Sequence, residues 1–220
     1  MKKLLAIFAI ILVSSASFAQ VTEGKIKYKL DFSSSDPSMQ AQFAMLSGST
    51  MTMYFSPDFS RTEMNMGMFM NTITILDLNK KNGVTLMDGM MGKKGMKMDK
   101  IDNPLDTPES EEVDFEKTND KKKVAGYNCT KYIMTTEDGL VNYWVTDEIT
   151  ASTTGVKYIN EKIKGFPLEF EMNTNGFTMK FIATEVTEKL KGENKKTLFS
   201  TEIPEGYEIV TEDDLKKMGM

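Results

Sequence analysis

From residue 24 to 32 the chain alternates strictly. Ile26, Tyr28, Leu30 and Phe32 fall on one side, and Lys25, Lys27, Lys29 and Asp31 on the other. A period of two with one apolar side predicts a strand that is packed on one face and wet on the other. Ser33 to Pro37 breaks the pattern and supplies a helix cap, with Pro37 suited to a first turn. Met39, Phe43 and Leu46 then recur at helical spacing, which predicts a short helix over 39–46. Segments 50–55 and 59–64 read as a strand pair around Ser56-Pro57-Asp58. Segments 71–78 and 84–87 read as another, around a turn from Asn79 to Gly83.

The segment 121–148 is the centre of the second half and is predicted as two strands and a turn. Val124, Tyr127, Cys129, Lys131 and Ile133 interleave with small or polar residues, with Gly126 where a strand bends or two backbones approach closely. Thr136 to Gly139 supplies turn chemistry, and 140–145 resumes with β-branched and aromatic residues. Three further strands are expected over 156–163, 167–172 and 177–190, then a terminal helical turn capped by Thr211 with acids in its first turn. Short strands at regular spacing predict a mainly β meander. The acidic stretch 99–112, with Pro104 and Pro108, reads as a solvated connection inside one domain, because neither half alone has enough strands to close a core.

Ahead of these strands stands a leader. Lys2 and Lys3 are basic, the ten residues 4–13 are unbroken apolar, and Ser17-Phe18-Ala19 offers small residues to a signal peptidase. Ten is short of the roughly 20 apolar residues a membrane-spanning helix needs. The expectation is a signal peptide over 1–19, cleavage near Ala19, and a single mature domain over 20–220 with no membrane span, periplasmic or secreted. Loss of Lys2 and Lys3 takes the net charge from −5 to −7. With no Lys/Arg block beyond 121–123, nucleic acid is a poor partner.

The chain has no histidine, which removes Ser-His-Asp and Cys-His nucleophiles and His-dependent zinc hydrolysis, and it carries no phosphate-binding glycine loop. Glu169 and Glu171 share one face of a strand. They could serve as a glycosidase pair, or as a solvated outer face with Leu168, Phe170 and Met172 packed inside. Cys129, the single cysteine, is either a small buried hydrophobe or a reactive thiol. The expectation is a protein that is not an enzyme and uses no cofactor.

The motifs KKKVAGYNCTKY, VNYWVTDEI, KGFPLEFEM, ATEV and FSTEIPEGYEI, in that order, resemble a family of uncharacterised extracytoplasmic proteins of Gram-negative bacteria, a domain of unknown function similar to the lipoprotein carriers LolA and LolB. The resemblance covers roughly 26–209. It implies a strongly curved antiparallel sheet, an incomplete barrel whose concave face is lidded by short helices and holds an acyl chain or another apolar ligand. The carriers' ligand-facing arginine has no counterpart that can be placed in this chain, so the inheritance is apolar-ligand binding rather than lipoprotein transfer itself.

Nineteen methionines are the compositional oddity, and thirteen lie between Met39 and Met98. Met51 and Met53 alternate, as do Met64, Met66, Met68 and Met70, and again Met96 and Met98; in extended chain each set shares a face. Three readings stand. Met fills irregular gaps in a core, or it lines a soft, adaptable surface for an apolar ligand, or its thioethers bind Cu(I) through Met64, Met66, Met68 and Met70. The candidate apolar lining is Phe43, Met51, Met53, Met64, Met66, Met68, Met70 and Trp144. Trp144 and Tyr143 must face opposite ways, with Trp144 expected in the core or as a stacking platform. The partner is expected to be an apolar small molecule or lipid. A Cu(I)-binding protein and an envelope scaffold or sensor that binds another protein are the alternatives.

Overall fold

A computed structural model describes residues 20–101, 115–136, 139–151, 163, 165–174 and 176–217. The leader, most of the acidic stretch and nearly all of the strand expected over 156–163 lie outside the described residues. In chain order the elements are β1 (Gly24–Ser34), α1 (Gln40–Met45), β2 (Thr50–Phe55), β3 (Phe59–Asn65), β4 (Met70–Asp77), β5 (Asn82–Gly89) and β6 (Gly92–Met98). There follow β7 (Phe115–Val124), β8 (Tyr127–Thr136), β9 (Gly139–Thr146), β10 (Phe166–Thr174), β11 (Phe177–Thr187), α2 (Lys195–Leu198), β12 (Glu208–Ile209) and α3 (Glu212–Lys217).

β1 keeps the alternation it was read from: Ile26, Tyr28 and Leu30 are buried while Lys27, Lys29 and Asp31 are exposed. It lies mid-sheet between β2 and β11, in the order β12-β6-β5-β4-β3-β2-β1-β11-β10-β9-β8-β7. All pairings between these strands are antiparallel except the short one between β12 and β6, and Val21 adds a lone parallel bridge to Ile149. The ends of that order do not pair with each other, so the sheet is curved but open. The curvature is visible in ring contacts. Phe55 of β2 and Phe166 of β10 stack with centroids 6.3 Å apart, although three strand spacings in a flat sheet would separate those strands by about 14 Å.

Two turns depart from expectation. Residues 121–148 hold parts of three strands, because Ala125 (φ 48°) and Gly126 (φ 92°) form a two-residue turn between β7 and β8, with Val124 paired to Tyr127. Two successive positive φ values match the right-handed strand twist, so Ala125-Gly126 reverses the chain where a bend within one strand was expected. Between β4 and β5, Asp77 pairs with Asn82, so Asn82-Gly83 begins a strand and the turn is 78–81. The Asp77 carboxylate accepts the Lys80 N–H at 2.9 Å and fixes that earlier turn.

The two halves of the sheet are covered differently. Over β1, β2 and β8–β11 the inner face is filled: Phe170 stacks on Phe181 (4.5 Å) and on Tyr143 (6.1 Å), edge-on to Tyr28 (6.0 Å). α1 closes one end, where Phe43 packs against Phe32 and Phe177. Over β3–β6 the outer face is the apolar one. Ile73, Ile75, Val84 and Leu86 lie under Leu190, Leu198, Phe199 and Ile203 of the C-terminal segment. This strap needs Gly95: a Cβ there would sit 2.6 Å from the Ile203 side chain. β12 then pairs alongside β6, and Val210 with Leu215 of α3 packs on Met87, Met70 and Met96. By strand register those methionines belong to the inner face. The C-terminal segment therefore wraps the β6 edge from outside to inside. Thr211 and Asp214 cap α3 reciprocally, through Asp214 N–H to the Thr211 hydroxyl (3.2 Å) and Thr211 N–H to the Asp214 carboxylate (3.0 Å).

Candidate functional site

Cross-strand register lays the inner face out in rows. Tyr28, Met51, Met64, Thr72, Met87 and Lys94 form one, and Ile26, Met53, Thr62, Thr74, Thr85 and Met96 form the next. Both begin in the packed core, where Met51 and Met53 are buried, and both end beneath or beside α3. In between, Thr62, Met64, Thr72, Thr74 and Thr85 are only half-buried. Among the described residues this is the half-buried stretch of inner face between the aromatic core, against which Met64 packs, and α3. Thr74 and Thr85 hydroxyls lie 3.3 Å apart, and the Thr85 hydroxyl points at the Met98 sulfur at 4.0 Å. The floor is thus made of methyl groups and thioethers, with a few hydroxyls already occupied by one another. Among the described residues it offers apolar contact, and the charge that ends its first row, Lys94, is paired with Glu208.

The structure distributes the sequence-predicted lining across several places. Met64 is on the floor. Met70 shares its face but packs under Leu215 and Val210. Met51 and Met53 fill the core rather than line an open surface, and Phe43 caps the filled end. Met66 and Met68 are not in a strand: residues 66–69 form the β3–β4 turn, closed by Met66 N–H to the Met70 carbonyl (2.9 Å), and Met68 is 82% exposed. The single extended face expected for Met64, Met66, Met68 and Met70 therefore does not exist. A hairpin reverses the chain in the middle of the repeat, because Gly67 takes φ +62°.

Trp144 also changes sides. Tyr143 takes the interior position on Phe170, and burial pushes its hydroxyl up to about 12. Trp144 is half-buried on the other face with the Lys122 ammonium 4.2 Å above its ring. The same ammonium binds Glu169 at 2.6 Å; Lys180 joins Glu169 (3.0 Å) to Glu171 (3.4 Å), and Asn142 donates to Glu171 (3.1 Å). Desolvation raises the Glu169 carboxyl pKa, but hydrogen bonds from Lys122 and Lys180 outweigh it and hold the group below the usual carboxylate range. A carboxylate so held is a poor proton donor, so the pair belongs to an ion network on the outer face.

Cys129 is buried, and desolvation lifts its thiol to about 12, so the thiolate that nucleophilic chemistry needs is absent at neutral pH. Arg61 lies beneath the strap, bound to Glu63 (2.6 Å) and the Leu198 carbonyl (2.9 Å). Among the described residues no three His, Cys, Asp or Glu side chains gather where they could hold a metal ion, and no helix is long and apolar enough to cross a membrane.

The threonine rows escaped sequence reasoning. Thr72 and Thr74 alternate in the sequence, but only the register of β3, β4 and β5 sets them beside Thr62 and Thr85.

No curated protein matches the chain. Among solved structures it is similar to PNGF-II, at 14% identity and a TM-score of 0.51 over 90% of this chain and 33% of that one. The chain thus spans about a third of PNGF-II's length, and the likeness is one of fold. A LolA superfamily protein, NE2245 from Nitrosomonas europaea, aligns more loosely, at 7% identity and a TM-score of 0.23 over 82% of this chain and 91% of that one. The DUF4412 family, a domain of unknown function, matches residues 38–207, more than three quarters of the sequence, and the chain belongs to that family.

Proposed function

We propose that this protein is a non-catalytic, extracytoplasmic binding protein for an apolar ligand, a lipid or a lipoprotein acyl chain, held against the inner face over β3–β5. The observation that carries this reading is the half-buried floor of Thr62, Met64, Thr72, Thr74 and Thr85 between two covered ends of one curved sheet. Such a floor matches a methylene chain: apolar burial is worth about 25 cal/mol per Å², and thioethers repack around guests of differing shape. The basic and apolar leader pattern over 1–19 supports export to the periplasm or outside the cell, with release near Ala19. The half-buried threonine and methionine floor and the paired state of Glu169 and Glu171 support binding rather than catalysis.

Native mass spectrometry of protein purified from an envelope fraction tests this directly. The expected result is a lipid-sized adduct in the wild type that disappears in Thr74→Lys, which puts an ammonium in the middle of the floor. A fluorescent fatty acid should lose affinity in parallel. A wild type that purifies bare and takes up no fatty acid refutes the reading.

A further inference from the structure

Of seven large hydrophobic side chains that are exposed among the described residues, five stand at one rim of the sheet. They come from three segments: Met45 ends α1, Met68 and Phe69 lie in the β3–β4 turn, and Met90 and Met91 form the β5–β6 turn. The backbone brings these segments together. Met70 pairs with Gly89, which makes the two hairpin tips neighbours. A Cβ on Gly67 would lie 2.8 Å from the Met45 carbonyl oxygen, and one on Gly89 would lie 2.5 Å from the Phe69 carbonyl oxygen. Gly67 and Gly92 sit at φ +62° and +82°, so both tips are tight turns of fixed shape.

Four of the five are methionine, and Met66, half-buried, adds a fifth thioether at the base of the first tip. Met68 and Met90 are 82% and 85% exposed, so neither fills a core. At such positions the feature that distinguishes Met from Leu is its polarizable sulfur on three rotatable bonds. Thioethers are soft ligands and select Cu(I) over hard cations. Lys93 and Asp88 at this rim pair with each other at 3.6 Å, so the two charges beside the thioethers offset one another.

We propose that this rim is a thioether site for a soft monovalent cation, Cu(I), with Met45, Met66, Met68, Met90 and Met91 as the ligand set. It is not the run from Met64 to Met70 that the sequence singles out, because Met64 and Met70 turn onto the inner floor while the tips recruit Met45, Met90 and Met91 from elsewhere. The site stands beside the apolar floor and does not depend on it.

The test uses Ag(I), the air-stable soft analogue, titrated into the purified protein with labelled methionine methyl groups followed by NMR. The rim methyl signals should shift, while those of buried Met51 and Met53 stay in place. A triple substitution, M68L/M90L/M91L, keeps apolar volume and removes sulfur. It should weaken Ag(I) binding at least about tenfold, equivalent to about 1.4 kcal/mol, without changing the melting temperature. Equal Ag(I) affinity in wild type and triple variant overturns the proposal. So does rim-dependent binding to phosphatidylcholine vesicles that the leucine variant retains without any silver affinity in the wild type, which would make the rim an oily docking edge. Thr74→Lys should abolish fatty-acid binding and leave Ag(I) binding intact. Loss of both would move the metal to the floor and overturn the rim site.

Discussion

The two halves of this sheet solve the same problem on opposite faces. β1, β2 and β8–β11 bury their inner face by curling until side chains from non-adjacent strands meet, as Phe55 and Phe166 do. β3–β6 bury their outer face, and the cover comes from the chain's own C-terminal segment. Among the described residues, the difference leaves one half filled and the other with a half-buried inner floor. Curvature alone does not make a cavity: where aromatic residues face inward they fill the space, and where threonines do, the face stays half-open.

If that division is real, damage should stay in the half where it is made. The largest effect is expected from Phe170→Ala, which removes a ring packed against Phe181, Tyr143 and Tyr28. It should cost about 4 kcal/mol or more, and urea denaturation should show global loss of stability. Phe199→Ala comes next. It deletes the ring stacked on Phe59 (5.3 Å) and should cost about 3 kcal/mol. Hydrogen exchange should then accelerate in the strap and β3–β6, with β8–β11 still protected; equal acceleration everywhere would erase the distinction between halves.

A smaller effect, about 2 kcal/mol near neutral pH, is expected of Glu169→Gln, which weakens the links to Lys122 and Lys180. Its sign with pH is fixed. A carboxyl whose folded pKa lies below the unfolded value of about 4.3 adds stability above that value and loses it as pH falls through the folded one. Wild type and variant should therefore converge in acid, and a constant offset down to the lowest pH would sink the assignment. The smallest effect is Thr211→Ala, about 1 kcal/mol at the α3 cap, visible as faster exchange in α3 alone.

How much was legible beforehand follows from what period-two patterns carry. β1, β2 and most of β3 are recovered from alternation and turn residues, as are β9 and β10 apart from their ends. The α3 cap was readable because Thr211 and Asp214 act within one turn. β6 is absent from the strands expected from alternation; its Gly95 is small so that Ile203, more than a hundred residues later, can approach. The methionine repeat misled because a period counts residues and does not register the reversal at Gly67. Trp144 was expected in the core or as a stacking platform; Tyr143 takes the interior position through its stack on Phe170, and Trp144 is half-buried at the edge of the core cluster on the other face.

Sequence by itself therefore determined the class: short alternating strands, local caps, turn chemistry, and a chain whose lack of histidine removes Ser-His-Asp and Cys-His nucleophiles. All of these act over a few neighbouring residues. Tertiary structure alone decided which face of each strand is buried, which methionines meet, and where the inner surface stays open. Alternation says that two faces differ, but the partner that covers one of them comes from a segment more than a hundred residues away, as Leu198 does over Arg61.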